Sequence, residues 1–187
     1  MDIKELEIKG AWIARSPVHH DNRGCFLEWF KREELKIATG LDFDVKQANL
    51  STSNKGVLRG IHYSLAKDGQ GKWVTCISGS IWDVIVDIRP ASPTFKQWIG
   101  IELKAGSGEA IYLSEGLGHG FISLENNSTV AYLLTSEYSP RDEFEISPLD
   151  PELKISWPLV KLYLSEKDKL APTLQEQLSA GNLRKLF

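Results

Sequence analysis

From residue 73 onward the chain alternates short β-branched runs with tight-turn signals and leaves no room for helices between them. The runs are Trp73 to Ile77, Ile81 to Ile88, Trp98 to Leu103, Ala110 to Leu113 and Thr129 to Thr135. Ser78-Gly79-Ser80, Pro90-Ala91-Ser92-Pro93 and Gly106-Ser107-Gly108 separate them, and each supplies the glycine or proline that a turn uses. A parallel sheet would need a crossover of about a dozen residues or more after each strand. The spacing therefore predicts an antiparallel sandwich or barrel, a mainly β chain. Helical patterns are confined to the edges. One is Lys31 to Thr39, stopped by Gly40; the other opens at Thr173-Leu174-Gln175-Glu176 and runs to about Ala180. In the second, the Thr173 hydroxyl and the Glu176 side chain are spaced for a reciprocal capping box. No repeat, low-complexity tract or linker interrupts the 187 residues, so one domain over 1–187 is expected.

A formal net charge of −3 lacks the basic excess of a protein that grips a nucleic-acid backbone. Neither an apolar leader nor a membrane-length apolar run occurs, so the cytoplasm is the expected location. Cys25 and Cys76 lie in apolar runs without CxxC or zinc-ligand spacing, which predicts two buried free thiols.

The four histidines are His19, His20, His62 and His119. His62 closes the run Gly56-Val57-Leu58-Arg59-Gly60-Ile61-His62-Tyr63. In a strand, period two puts Leu58, Gly60 and His62 on one face, and Gly60 leaves room for a ligand beside the imidazole. A histidine on an apolar strand is as readily a satisfied core residue, so both roles stand at this point. His119 sits in Gly116-Leu117-Gly118-His119-Gly120-Phe121. That bend is either a structural corner or the delivery of a histidine to the start of the next strand. Asp83 interrupts the apolar run Ile81 to Asp87. Its unpaired burial would be costly, which predicts a partner, and histidine suits because a carboxylate fixes its tautomer and raises its basicity. Arg23, in a turn before Gly24, and Arg59, three residues before His62, present planar forks for a small anion; a solvated surface arginine is the commoner case for each. No metal is expected, because Gly60 and Ser64 stand where a His-x-His pair would need its second imidazole.

Taken together, these segments resemble the dTDP-4-dehydrorhamnose 3,5-epimerase family. The likeness runs from Asp21-Asn22-Arg23-Gly24 through Glu28, Gln47-Ala48-Asn49-Leu50-Ser51, and Gly56 to Tyr63. It continues through Gln70-Gly71-Lys72, Asp83 to Arg89, Ser92-Pro93-Thr94-Phe95 and Gly116 to Phe121. Asp150-Pro151 through Trp157-Pro158 and Leu164-Ser165-Glu166-Lys167-Asp168 complete it, in order along nearly the whole chain.

The resemblance implies a cupin-like β-sandwich or jelly roll with a few peripheral helices. It also implies a homodimer with strands exchanged between subunits, no metal and no cofactor. The implied substrate is of dTDP-4-keto-6-deoxy-glucose type. His62 would be the base and Asp168 its carboxylate partner, with Lys72 at the C4 keto oxygen and Tyr132 the acid on the opposite face. Tyr138 would stack near the nucleotide base, and Arg23 and Arg59 would hold the diphosphate. Glu28, Gln47, Asn49, Glu143 and Lys167 would fill out the nucleotide pocket, and His119 and Asp83 would pair beside the sugar.

Three departures set this chain apart from the usual pattern. Ser64 stands where glutamine often follows, Ser114-Glu115 replaces a proline, and Ile146-Ser147-Pro148-Leu149-Asp150-Pro151 replaces a Trp-Asn-Asp-Pro run. They resemble relatives from antibiotic deoxysugar pathways, some of which invert C3 only, whereas the retained Tyr132 favours both C3 and C5. A metal-dependent cupin enzyme and a non-catalytic sugar-nucleotide binding module are the readings from other classes. The second has no use for His62, Lys72, Asp168 and Tyr132 together.

Overall fold

The computed structural model describes residues 1–184. Two antiparallel sheets face each other. The larger orders its six strands β1-β2-β10-β7-β12-β5, and the smaller orders five as β13-β6-β11-β8-β9. The first sheet takes β1 (Asp2–Glu5), β2 (Ala11–Arg15), β5 (Gln47–Ser53), β7 (Lys72–Ser78), β10 (Glu109–Leu113) and β12 (Ser128–Leu134). The second takes β6 (Leu58–Ser64), β8 (Ser80–Asp87), β9 (Trp98–Lys104), β11 (Leu117–Ser123) and β13 (Glu143–Glu145). A separate hairpin, β3 (His19–Asp21) with β4 (Gly24–Phe26), pairs with neither sheet. Every expected strand is present, with ends shifted by about a residue, as strand ends commonly are between criteria.

Three apolar layers explain why β7 and β8 read as continuous apolar runs. Between the sheets, Val74, Cys76, Ile111 and Val130 meet Ile81, Ile85, Leu103 and Phe121. Behind the larger sheet, Trp12, Trp73 and Tyr112 are covered by Phe43 and by Leu35 of helix α1 (Arg32–Thr39). Behind the smaller sheet, Ile61, Tyr63, Val84 and Val86 are covered by Ile146, Leu153 and Leu174 from the C-terminal segment. Strands buried on both faces lose the polar half of the alternation. Helix α1 ends at Gly40, whose φ of 73° is the left-handed C-cap that glycine takes most easily. Helix α2 (Glu166–Lys169) was not anticipated, while α3 (Leu174–Ser179) carries the expected capping box between Thr173 and Glu176.

The thiols divide. Cys76 is buried as expected, but Cys25 is exposed because its hairpin packs under nothing. Among the described residues no helix is long and apolar enough to cross a membrane.

Candidate active site

The site is built on an irregularity in β6. His62 stands opposite His119 and Arg59 opposite Phe121, so Gly60 and Ile61 together oppose the single residue Gly120. One extra residue flips the alternation. His62 therefore shares a face with Arg59, not with Leu58 and Gly60 as strict period two predicts. Gly60 also serves a different purpose from the one expected. At φ +124°, a Cβ there would lie 2.5 Å from the Gly120 Cα and 2.8 Å from the His119 carbonyl oxygen. The glycine admits the neighbouring backbone, not a ligand. The glycines of β11 have the same logic, since a Cβ on Gly118 or Gly120 would come within 2.6 or 2.7 Å of Ile61. Leu117, His119 and Phe121 are left facing inward, and His119 lies in mid-strand, not at the strand's start.

His62 Nε2 lies 2.7 Å from Asp168 Oδ1. The Ser165 hydroxyl accepts the Asp168 backbone N–H at 3.1 Å and donates to Asp168 Oδ2 at 2.8 Å, which fixes the carboxylate at the start of α2. Burial alone raises the Asp168 pKa. The hydrogen bond and charge of His62, the Ser165 hydroxyl and Lys167 outweigh it and hold the carboxyl below its usual value. An ionised carboxylate only accepts, so Nε2 carries the imidazole proton and Nδ1 the lone pair. The predicted partner of Asp83 is also found: His119 Nε2 lies 2.9 and 3.1 Å from its two oxygens.

Lys72, the first residue of β7, is buried and donates to the His62 carbonyl oxygen at 3.3 Å. Burial pulls its pKa down to about 8, against the opposing charges of Glu143 and Asp83. Tyr132 enters from β12, opposite Asn49 on β5. Gln47 Nε2 donates to Asn49 Oδ1 at 2.9 Å, and Gln47 Oε1 accepts the Tyr138 backbone N–H at 2.8 Å. These side chains enclose a cavity of about 250 Å³, to which His62, Lys72, Tyr132, Gln47, Asn49, Tyr138, Glu143 and Lys167 all contribute.

Six expected site residues are not in that cavity wall: Asp168 stands behind His62, His119 and Asp83 pair with each other, and Arg59, Arg23 and Glu28 are engaged elsewhere. Arg59 donates to the Ser53 hydroxyl at 3.0 Å. Arg23 is held by Asp21 on the exposed hairpin, its closest contact 2.5 Å, and Glu28 pairs with Lys31 at 3.1 Å. Arg23 and Glu28 do not meet the cavity within one chain: Arg23 sits on the exposed hairpin, and the Glu28 carbonyl accepts the Ser16 hydroxyl just past β2 at 2.8 Å.

Sequence patterns assign no role to Gln70, Phe144 or Ser165, although the first two line the cavity and the third orients Asp168. The Ser165-to-Asp168 spacing is an N-cap signal that could have pointed to the third; no local signal marks Gln70. A larger cavity of about 790 Å³ lies outside the bigger sheet, over Trp12 and Tyr112. Its carboxylates are largely engaged, Asp42 by Arg32, Asp44 by Lys46 and Glu115 by Arg184. Size does not locate the chemistry in this molecule. Among the described residues, no three His, Cys, Asp or Glu side chains group as metal ligands would.

A carboxylate-bound imidazole sharing a cavity with a buried lysine and a phenol, at one end of a cupin-like sandwich, is the arrangement of an enzyme that moves protons. Moving a proton off one face of a carbon and back onto the other is the work of an isomerase. The chain belongs to the dTDP-4-dehydrorhamnose 3,5-epimerase family, whose model matches residues 5–176. It is 44% identical over 186 residues to the dTDP-4-dehydrorhamnose 3,5-epimerase of Mycobacterium tuberculosis, covering 98% of this chain and 92% of that protein. The crystal structure of NovW, a 4-keto-6-deoxy sugar epimerase from the novobiocin cluster of Streptomyces spheroides, superposes with a TM-score of 0.95. Its identity is 43%, over 98% of this chain and 92% of that one. ChmJ, a 3'-monoepimerase from Streptomyces bikiniensis solved with dTDP-quinovose, gives a TM-score of 0.91 at 43% identity, over 95% and 90%.

Proposed function

We propose that this enzyme epimerises dTDP-4-keto-6-deoxy-D-glucose at C3 and C5 through enolate intermediates. The observation that carries the reading is the convergence of the His62–Asp168 pair, Lys72 and Tyr132 on one small cavity. A ketone at C4 acidifies the hydrogens on C3 and C5. Nδ1 of His62 takes the proton, and Asp168 stabilises the imidazolium that results. The Lys72 ammonium stabilises the enolate oxygen, a contribution of about 3 to 4 kcal/mol for one well-placed donor. Tyr132 returns a proton to the opposite face of the carbon and is reprotonated from solvent, which inverts the centre. No step transfers a hydride or needs a cofactor.

Gln47, Asn49, Glu143 and Lys167 line the same cavity and supply the nucleotide pocket, with Tyr138, 61% exposed, as a surface on which a base stacks. Arg59 grips the diphosphate, and His119, set by Asp83, contacts the sugar. Arg23 and Glu28 complete the pocket from a second copy of the chain. The support is the hairpin that carries Arg23 and ends two residues before Glu28; it pairs with neither sheet and leaves Phe26 65% exposed. The protein is then a cytoplasmic homodimer with shared sites. Inversion of C3 alone is a second reading, favoured by the 43% identity to the monoepimerase ChmJ.

Replacement of His62 by alanine separates catalysis from binding. The His62→Ala protein is expected to bind dTDP-sugar with kcat reduced by about 10² to 10⁴. Undiminished turnover would remove His62 from the mechanism.

A further inference from the structure

We infer that Gln70 is a positioning residue, which holds the Glu143 carboxylate and the strap of residues 135–143 at the wall of the cavity that Lys72 lines. The inference rests on the epimerase reading. The strap joins β12 to β13 and carries Tyr138. Its beginning is tied to the loop before β7: the Gly71 N–H donates to the Thr135 hydroxyl at 2.7 Å, and the Thr135 N–H to the Gly71 carbonyl at 3.1 Å. Its middle is tied by Gln47 to Tyr138. Gln70 spans both ends, since Nε2 donates to the Ser136 hydroxyl at 2.9 Å and to Glu143 Oε1 at 3.1 Å. An amide nitrogen has two hydrogens, and Gln70, only 6% exposed, has a partner for each.

The consequence is electrostatic. Two carboxylates favour the charged form of Lys72 against its burial, Glu143 and Asp83. His119 holds Asp83 through both of its oxygens, so Glu143 is the carboxylate whose position depends on Gln70. The other titratable groups on the cavity are His62, Tyr132, Tyr138 and Lys167, and Lys167 is itself paired with Glu145 at 2.9 Å. Without the amide, Glu143 swings into better-screened surroundings and Lys72 loses its proton more easily. The active ammonium form is then lost at lower pH.

The test is the pH profile of kcat on dTDP-4-keto-6-deoxy-glucose for the full-length wild type, Gln70→Leu, Glu143→Gln and the double variant. Gln70→Leu is expected to move the alkaline limb down by about one pH unit, lowering kcat at alkaline pH about tenfold. KM should rise no further in Gln70→Leu than in Glu143→Gln, since both act on the nucleotide pocket through the one carboxylate; a larger rise would mean a direct substrate contact and overturn the assignment. Glu143→Gln should shift the limb the same way, and the double variant should add nothing further. An unmoved limb in either single variant, a loss equal at every pH, or a second shift in the double variant overturns the assignment. Should Gln70→Leu fail to fold, Gln70→Asn, whose amide is one methylene short of Glu143, takes its place with the same expected shift. A wild type without turnover overturns the epimerase reading and this inference with it; an active wild type with unmoved variants overturns only this inference.

Discussion

Lys72 is the residue where the proposed function and stability pull against each other. A lysine ammonium has an ordinary pKa near 10.5, and burial in the fold brings this one to about 8. Because the folded value lies below the unfolded one, carrying the charged form weakens the fold at neutral pH. That penalty is fully present below pH 8 and disappears as pH rises through the unfolded value. Lys72→Met should therefore stabilise the protein at pH 7 by up to about 3 kcal/mol, with the gain shrinking from about pH 8 and largely gone by about pH 10. Denaturant titrations at both pH values check this, and equal stability throughout would mean that neighbouring groups already offset the charge. In the proposed mechanism the same ammonium sets the alkaline limit of catalysis. Wild-type kcat should fall as pH passes about 8, whereas a plateau to pH 10 would exclude Lys72 as the enolate stabiliser. Residue types were the legible part of this site. Asp83 announced a partner through the oddity of a carboxylate in an apolar run, and His119 met it. The pairing of His62 with Asp168 came only from the family resemblance, because 106 positions separate the two and no local period links them.

The strands were legible as elements because their lengths and turns are local properties. The bulge in β6 was not. It depends on Gly60 meeting Gly120 across the sheet, a contact that no period within either strand encodes. Period two consequently placed His62 on the wrong face of its own strand. The bulge turns His62 toward the cavity and Ile61 into the layer behind the sheet. Gly60→Ala should thus be damaging out of proportion to its size. A positive φ and overlap with the β11 backbone together imply a loss of about 2 to 4 kcal/mol. Urea unfolding measures it; a loss under about 0.5 kcal/mol would mean that β6 adopts its register without the glycine.

At the scale of the molecule, a single chain makes the cavity but not the whole of the proposed nucleotide site. Arg23 and Glu28 stand apart from it, and a second copy of the chain is the proposed source of both. Mixing two defective proteins tests the sharing. Arg23→Ala and His62→Ala homodimers should each turn over poorly. Exchanged subunits should regain activity, because one of the two sites in a mixed dimer then has both groups intact. No recovery after demonstrated exchange would place each site within one chain. Fold class and the elements behind the site were legible from the chain's own pattern, whereas assembly was not, since an exposed hairpin carries no periodic signature of what covers it. Whether this cavity inverts carbon centres through enolates is decided by deuterium incorporation from heavy water into dTDP-4-keto-6-deoxy-glucose, with a 4-ketoreductase trapping the product for stereochemical assignment. Enzyme-dependent label and inversion at both C3 and C5 are expected. Label at C3 alone would restrict the enzyme to one centre, and no exchange above the enzyme-free control would contradict the proposed chemistry.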